Sequence, residues 1–173
     1  CIIDSIDSNL VTLSVCYKQA NNSEASVKVT LYQGVPKASK LEDVIQKCTE
    51  LGITAVCPTL TRRSISRPDE KQANKKNLRY QKIALEAAQQ SGRGIIPEIM
   101  PMTTLENAIK NDDSELKILF YEGGGESLKT MITPDVKSVS IYIGPEGGFE
   151  ENEVELIKKN GGKIASLGPR ILR

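Results

Sequence analysis

The chain has 173 residues, 39% hydrophobic and 26% charged, which suits one globular domain, or a domain plus a fragment, whose core needs no disulfide or metal. No apolar run approaches the roughly 18–20 residues of a membrane span, and Cys1-Ile2-Ile3-Asp4 has no signal-peptide pattern, so no membrane partner and a cytoplasmic location are expected. The formal charge of +1 does not announce a nucleic-acid partner, and the absence of histidine excludes Ser-His and Cys-His nucleophilic catalysis and most zinc sites, so no metal is expected.

In chain order, Leu10–Tyr17 and Val27–Gln33 alternate apolar and polar residues as half-buried strands do, with turn residues Asp7-Ser8-Asn9 and Asn21-Asn22-Ser23 beside them. Residues 1–35 read as the remnant of a small β domain, and the lack of an initiator methionine suggests a natural N-terminus further upstream. From Pro36 the pattern changes. Ser39-Lys40-Leu41-Glu42 has the form of a capping box, and Leu41, Val44, Ile45, Cys48 and Leu51 share a helical face that Gly52 ends. Ile53–Cys57 predicts a buried strand closed by Pro58. A second helix is expected from about Ala73 to Ser91, with Leu78, Ala84, Leu85, Ala87 and Ala88 as contacts and Gly92 as its stop. Gly94–Ile99 predicts a strand, and Thr103-Thr104-Leu105-Glu106 caps a short third helix. Leu116–Tyr121 and Val136–Ile143 are the most apolar strands; Glu150–Asn160 predicts a final helix with acidic first turns, and Lys163–Leu167 a last strand. This alternation implies an α/β fold, a parallel sheet with helices on both faces, over residues 36–173. Cys1, Cys16, Cys48 and Cys57 show no CxxC spacing and read as small buried apolar residues in a reducing compartment.

In such sheets ligands bind beyond the carboxyl ends of the strands. Three glycine clusters fall there: Glu122-Gly123-Gly124-Gly125, Gly144-Pro145-Glu146-Gly147-Gly148, and Gly168-Pro169-Arg170. Glycine lets backbone approach a ligand closely, although any one cluster alone is a plausible tight turn. No phosphate motif is present, and Glu122 and Glu146 would repel a phosphate while suiting a cationic or hydroxyl-rich ligand such as a sulfonium nucleoside. Between Leu60 and Lys82 lie Arg62, Arg63, Arg67, Lys71, Lys75, Lys76, Arg79 and Lys82, either a phosphate-backbone grip or a solvated face.

Ile143-Gly144-Pro145-Glu146-Gly147-Gly148-Phe149, followed by Leu167-Gly168-Pro169-Arg170-Ile171-Leu172-Arg173, resembles the signature of the RsmE family of SPOUT-class methyltransferases, which methylate N3 of a uridine in 16S ribosomal RNA. Gln46-Lys47-Cys48-Thr49-Glu50-Leu51-Gly52 and Gln81–Arg93 resemble two of its helices, and the similarity spans about Val27 to Arg173. The resemblance implies a C-terminal trefoil knot, a partial PUA-like β-barrel ahead of it, a homodimer, and S-adenosylmethionine as cofactor. It places the cofactor against Leu119, Tyr121, Glu122, Gly123, Ile143, Gly144, Pro145, Glu146, Gly147, Gly148, Leu167, Gly168, Arg170, Ile171 and Leu172. The RNA partner, 16S ribosomal RNA or the small subunit, would be gripped by Arg62, Arg63, Arg67, Arg79 and Arg93. Two departures stand out. Tyr80 occupies a position where relatives often have tryptophan, and the chain stops at Arg173 where the family usually continues with a Thr-Glu-Thr segment and a closing helix.

Methyl transfer from a sulfonium depends chiefly on positioning, and uridine N3 must lose a proton. With no histidine, Arg170 and Arg173 are the expected electrostatic helpers of the developing oxyanion, while Glu146 is expected to organise its own loop. Two rival functions are compatible with the residues: a noncatalytic RNA-binding module using the basic stretch, and a different nucleotide-dependent enzyme using the glycine loops.

Overall fold

Leu31 and Tyr32 are both buried, although successive strand residues face opposite ways, so their strand is covered on both sides. The computed structural model, which describes residues 1–18 and 21–168, shows how. The elements run β1 (Ile2–Ile6), β2 (Val11–Ser14), β3 (Lys28–Gly34), α1 (Lys40–Glu50), β4 (Ala55–Leu60), α2 (Glu70–Gln90), β5 (Glu98–Ile99), β6 (Thr103–Thr104) and α3 (Leu105–Asn111). They continue with β7 (Leu116–Phe120), β8 (Glu126–Ser127), α4 (Leu128–Met131), β9 (Ser138–Ile143), α5 (Glu151–Lys159) and β10 (Lys163–Ser166). The large sheet has the order β5-β4-β3-β9-β7-β10-β8, with β6 also on β4. Each pairing in it is parallel, so the strands present their carboxyl ends to one edge.

Register assigns the two faces. Leu31 lies beside Val56 and Ile141, and Ile141 beside Ile118; this row packs under α1 and α2 through Leu41, Ile45, Tyr80 and Ala84, with Met131 of α4 further along. Tyr32 lies beside Cys57 and Tyr142, and Tyr142 beside Leu119; this opposite row packs on α3 and α5 through Leu105, Ile109, Val154 and Ile157. The Tyr32 and Tyr142 rings stack with centroids 4.7 Å apart and planes 8° from parallel.

Several expectations need correction. The strand read as the end of the front β domain is β3, the partner of both β4 and β9 at the sheet's centre, so the front section ends before Lys28. Alternation cannot distinguish a half-buried strand from a central one containing Thr30 and Gln33. The front section is the antiparallel β1–β2 hairpin, whose first strand escaped notice, and its apolar Ile2, Ile6, Leu13 and Tyr17 are exposed. Ser39 makes no side-chain cap on α1, and Leu51 is exposed, since one residue beyond the helix leaves its apolar face. Thr49 takes the inward place, its Oγ1 donating to Ile45 O at 2.7 Å. Gly52 has the anticipated positive φ, 94°. Helix α2 starts earlier than expected, at an N-cap on Asp69 whose carboxylate accepts from Gln72 N, and Leu78 is exposed rather than packed. The strand expected over Gly94–Ile99 shrinks to Glu98–Ile99.

Pro58 does not close its strand but lies within it, opposite Gln33. Thr54 and Val56 turn their carbonyls to the β5 side, accepting from Glu98 N and Met100 N, while Thr59 O accepts from Val35 N of the β3 side. Two residues beyond Val56, Pro58 therefore aims its missing N–H at the break between β5 and β6, where no ladder bond is lost. Of the cysteines only Cys57 is buried, its thiol pushed up to about 11 by burial; Cys1 and Cys16 are exposed. Tyr80 is buried between α1 and the sheet.

Candidate cofactor and nucleic-acid site

The carboxyl ends of β3, β9, β7 and β4 bring four loops to one edge of the sheet. Gly144 follows β9, and Pro145 O accepts from Gly148 N at 2.9 Å, closing a turn that Gly148 completes at φ 69°. Gly144 and Gly148 approach so closely that a Cβ on Gly144 would lie 3.0 Å from the Gly148 backbone. The end of β3 presses on this turn from one side. Gln33 Nε2 donates to Gly144 O at 3.3 Å, and a Cβ on Gly34 would lie 2.5 Å from Pro145 Cδ. Glu146 accepts from Lys37 N at 3.1 Å and lies 3.7 Å from Lys40 Nζ. Its own backbone N–H, the largest influence, then Lys37 N–H and Lys40, hold its carboxyl below the usual range. That anchoring is complete above the ordinary carboxylate pKa and is lost as pH falls through the depressed value. Glu146 thus ties the turn after β9 to the segment between β3 and α1.

From the other side comes the turn after β4. Arg63 Nη1 donates to Gly147 O at 2.7 Å, and the Arg63 stem lies against Gly147, where a Cβ would meet it at 3.3 Å. Arg62 Nε is 3.8 Å from Glu150, and Arg62 N donates to Glu153 at 2.8 Å. Beyond β7, Tyr121 is half-buried against the α3–α5 core, and Gly123 packs on its ring. The Glu122 carboxylate lies near Gly148, 3.6 Å from where a Cβ would stand. A cleft of about 590 Å³ opens between Gly123–Gly125 and α5, lined also by Tyr121 and Lys158. Beyond β10, Leu167 is exposed and Gly168 has φ 106°.

The expected site residues therefore divide. Glu122, Gly144–Gly148, Arg62 and Arg63 converge. Leu119 does not: it is wholly buried in the core beneath the loop and offers no surface to a ligand. Arg170, Ile171, Leu172 and Arg173 lie outside the described residues. Arg67 donates to Thr61 O at 2.8 Å and Arg79 pairs with Glu42 at 2.7 Å, leaving both on the surface.

Arg93 is a correction. Its side chain is 4% exposed, donating to Glu24 at 2.6 Å and to Ile53 O at 2.7 Å, so it ties the approach to β3 to the ends of α1 and α2 and cannot meet a phosphate. Arg93→Ala is expected to lower the urea midpoint of unfolding while leaving RNA affinity within about twofold, whereas Arg62→Ala and Arg63→Ala weaken RNA binding and flatten its salt dependence. Filter binding across a salt series, beside a urea titration, separates the two groups. A groove of about 420 Å³ between α1 and α2, lined by Glu42, Asp43, Glu50 and Glu86, carries the wrong charge for RNA.

Six contributors were missed as site residues by the sequence reading: Gln33, Gly34, Lys37, Lys40, Glu150 and Glu153. Gly34 is a fourth glycine at a strand end and could have been grouped with the others. Glu153 follows Glu150 by a capping-box interval, the only local sign that its carboxylate turns inward.

A parallel α/β sheet with glycine-built turns and a basic turn at its carboxyl edge defines a ligand-binding α/β protein. The chain belongs to the RNA methyltransferase domain family, whose model matches residues 23–173. It is 36% identical to the ribosomal RNA small subunit methyltransferase E of Bacillus subtilis, an alignment covering 100% of this chain and 71% of that protein. The crystal structure of a ribosomal RNA small subunit methyltransferase E from Neisseria gonorrhoeae bound to S-adenosyl methionine superposes with a TM-score of 0.82 at 29% identity, over 90% of this chain and 63% of that one. A methyltransferase from Legionella pneumophila in complex with the same cofactor gives 0.83 at 32% identity, over 88% and 62%. Among the described residues no cluster of metal-ligating side chains occurs, and no helix is long and apolar enough to cross a membrane.

Proposed function

We propose that the chain is an S-adenosylmethionine-dependent ribosomal RNA methyltransferase that methylates N3 of a uridine in 16S RNA of the small subunit. The observation that carries the reading is the convergence of the Gly144–Gly148 turn, the Glu122 carboxylate and the Arg62–Arg63 turn at one sheet edge. The residues fit a nucleoside without phosphates: close-set glycine backbone offers N–H and C=O groups, and Glu122 suits a cation or ribose hydroxyls. No lysine or arginine replaces the missing phosphate motif inside the turn. When bound, the cofactor supplies an electrophilic methyl group on a sulfonium. Gly144–Gly148, Glu122 and Leu167–Gly168 hold it, with Ile171 and Leu172 as further contacts. Arg170 and Arg173 stabilise negative charge on the uracil carbonyls as N3 loses its proton. Arg62, Arg63 and Arg67 bind RNA phosphates, and the uridine is reached by extruding it from its neighbours.

The finer architecture belongs to the same proposal. The segment beyond β10 completes a trefoil knot, two copies form a homodimer, and the β1–β2 hairpin is part of a PUA-like RNA-binding barrel set ahead of the methyltransferase domain. The enzyme acts in the cytoplasm, where ribosomes are assembled. Calorimetric titration of S-adenosylmethionine tests the reading. Saturable binding is expected, with loss of at least tenfold in affinity in Gly147→Val, whose branched side chain must displace Arg63. Binding of small subunits by a folded protein that takes up no cofactor would instead favour a noncatalytic RNA-binding module.

A further inference from the structure

The strand-end loops are not independent, and one buried group joins two of them. Glu153 is 3% exposed although it is a carboxylate on an amphipathic surface helix. A buried carboxylate needs its lone pairs satisfied. Glu153 satisfies them with two main-chain donors from opposite sides: Arg62 N at 2.8 Å, in the basic turn after β4, and Glu150 N at 2.9 Å, where the glycine turn runs into α5. Its place in the first turn of α5 adds the favourable helix dipole. Two further links flank it, from Arg62 Nε to Glu150 at 3.8 Å and from Arg63 Nη1 to Gly147 O at 2.7 Å. The flanking links use flexible, exposed side chains. Glu153 alone holds backbone to backbone.

We infer that Glu153 is a positioning residue that couples the two loops, so that occupation of the Gly144–Gly148 turn by the methyl donor tightens the grip of the Arg62–Arg63 turn on RNA. The inference rests on the proposed function and adds to it a linkage between two ligands. A cofactor that orders the glycine turn fixes the start of α5, and through Glu153 it fixes the Arg62 backbone before RNA arrives. RNA then has less ordering left to impose. Coupling of this kind is reciprocal, so RNA must tighten cofactor binding by the same factor.

The test is a binding cycle. Affinity of the chain for small ribosomal subunits is measured with and without saturating S-adenosylhomocysteine, for the unmutated protein and for Glu153→Gln. The glutamine keeps one acceptor but turns an NH₂ towards the other donor, breaking one of the two bonds. The expected result is tightening of about fivefold or more in the unmutated chain and less than twofold in Glu153→Gln. Equal tightening in both, or none in the unmutated chain, would overturn the coupling. Failure of S-adenosylhomocysteine to bind the unmutated chain at all would overturn the functional reading itself and the coupling with it. Hydrogen exchange in the unmutated protein gives an arm that needs no variant to fold. Protection of the Arg62 amide, which Glu153 accepts, should rise at least fivefold on adding S-adenosylhomocysteine; unchanged protection rules the linkage out.

Discussion

Asp112→Ala is expected to remove about 3 kcal/mol of folding stability, measured by urea denaturation, because it strands buried donors in the middle of the molecule. Asp112 follows α3 and is itself buried. One carboxylate oxygen accepts from Tyr142 Oη at 2.7 Å; the other accepts from Ser140 Oγ at 2.7 Å and Ser114 N at 3.0 Å. Tyr142 and Ser140 are wholly buried, so neither can turn to water when the acceptor goes; Ser140 keeps Ser114 Oγ at 2.6 Å, so the cost falls chiefly on the Tyr142 hydroxyl. An unsatisfied buried donor costs about 1–3 kcal/mol, and bonds to a charged acceptor are the stronger kind. Asp112→Asn keeps one acceptor oxygen and should lose about half as much. A loss below about 0.5 kcal/mol in the alanine variant would mean that the network contributes nothing.

The same network sets an alkaline limit. Burial first, and then the hydrogen bond to Asp112, push the Tyr142 phenol far above its ordinary value, and burial does the same to its stacked neighbour Tyr32. A raised pKa in the folded state contributes stability that is fully present below the unfolded value, about 10, and is lost as pH rises above it. Denaturation midpoints should therefore hold with respect to these groups up to about pH 10 and fall beyond it.

Gly34→Ala is expected to weaken S-adenosylmethionine binding at least tenfold, read by calorimetry, although residue 34 belongs to none of the glycine motifs. The added Cβ would stand 2.5 Å from Pro145 Cδ, 2.6 Å from Pro145 N and 2.9 Å from Gly144 C. Two of those atoms are backbone and the third belongs to a prolyl ring, so no flexible side chain can swing aside. The turn after β9 must move, carrying Gly147 and Gly148 with it. The overpacking itself should cost about 1–3 kcal/mol of stability. Unaltered cofactor affinity in a folded Gly34→Ala protein would place the cofactor elsewhere than in this turn. Together with Gly147→Val the variant presses the same loop from opposite sides, one through Pro145 and one through Arg63.

Most of the elements were legible because their signals are local. The apolar rows of β4, β7 and β9, the glycines that end α1 and α2, and the Thr104 cap of α3, whose Oγ1 accepts from Asn107 N at 3.3 Å, each rest on residues within a few positions of one another. The glycine turn was legible for the same reason, since its closing bond joins Pro145 to Gly148. Family likeness added the ligand but not the neighbours of each side chain.

What escaped has a common cause in sequence separation. The resemblance places Arg93 among the cations that grip RNA, yet its partner Glu24 stands 69 residues away, and only folding brings the pair under cover. Glu153 read as a dipole-favoured surface carboxylate, yet it meets an amide 91 residues distant. The resemblance sets Leu119 against the cofactor, but Tyr142 and Ile164 flank it in register from two strands that come later in the chain. Composition and periodicity were enough to establish a parallel α/β protein with glycine turns at its strand ends, since both follow from residue type and spacing. The position of β9 between β3 and β7, and with it which loops share the edge and which cations stay at the surface, was decided by packing. A late strand chooses its neighbours by the apolar faces it can bury on both sides, and no local pattern carries that choice.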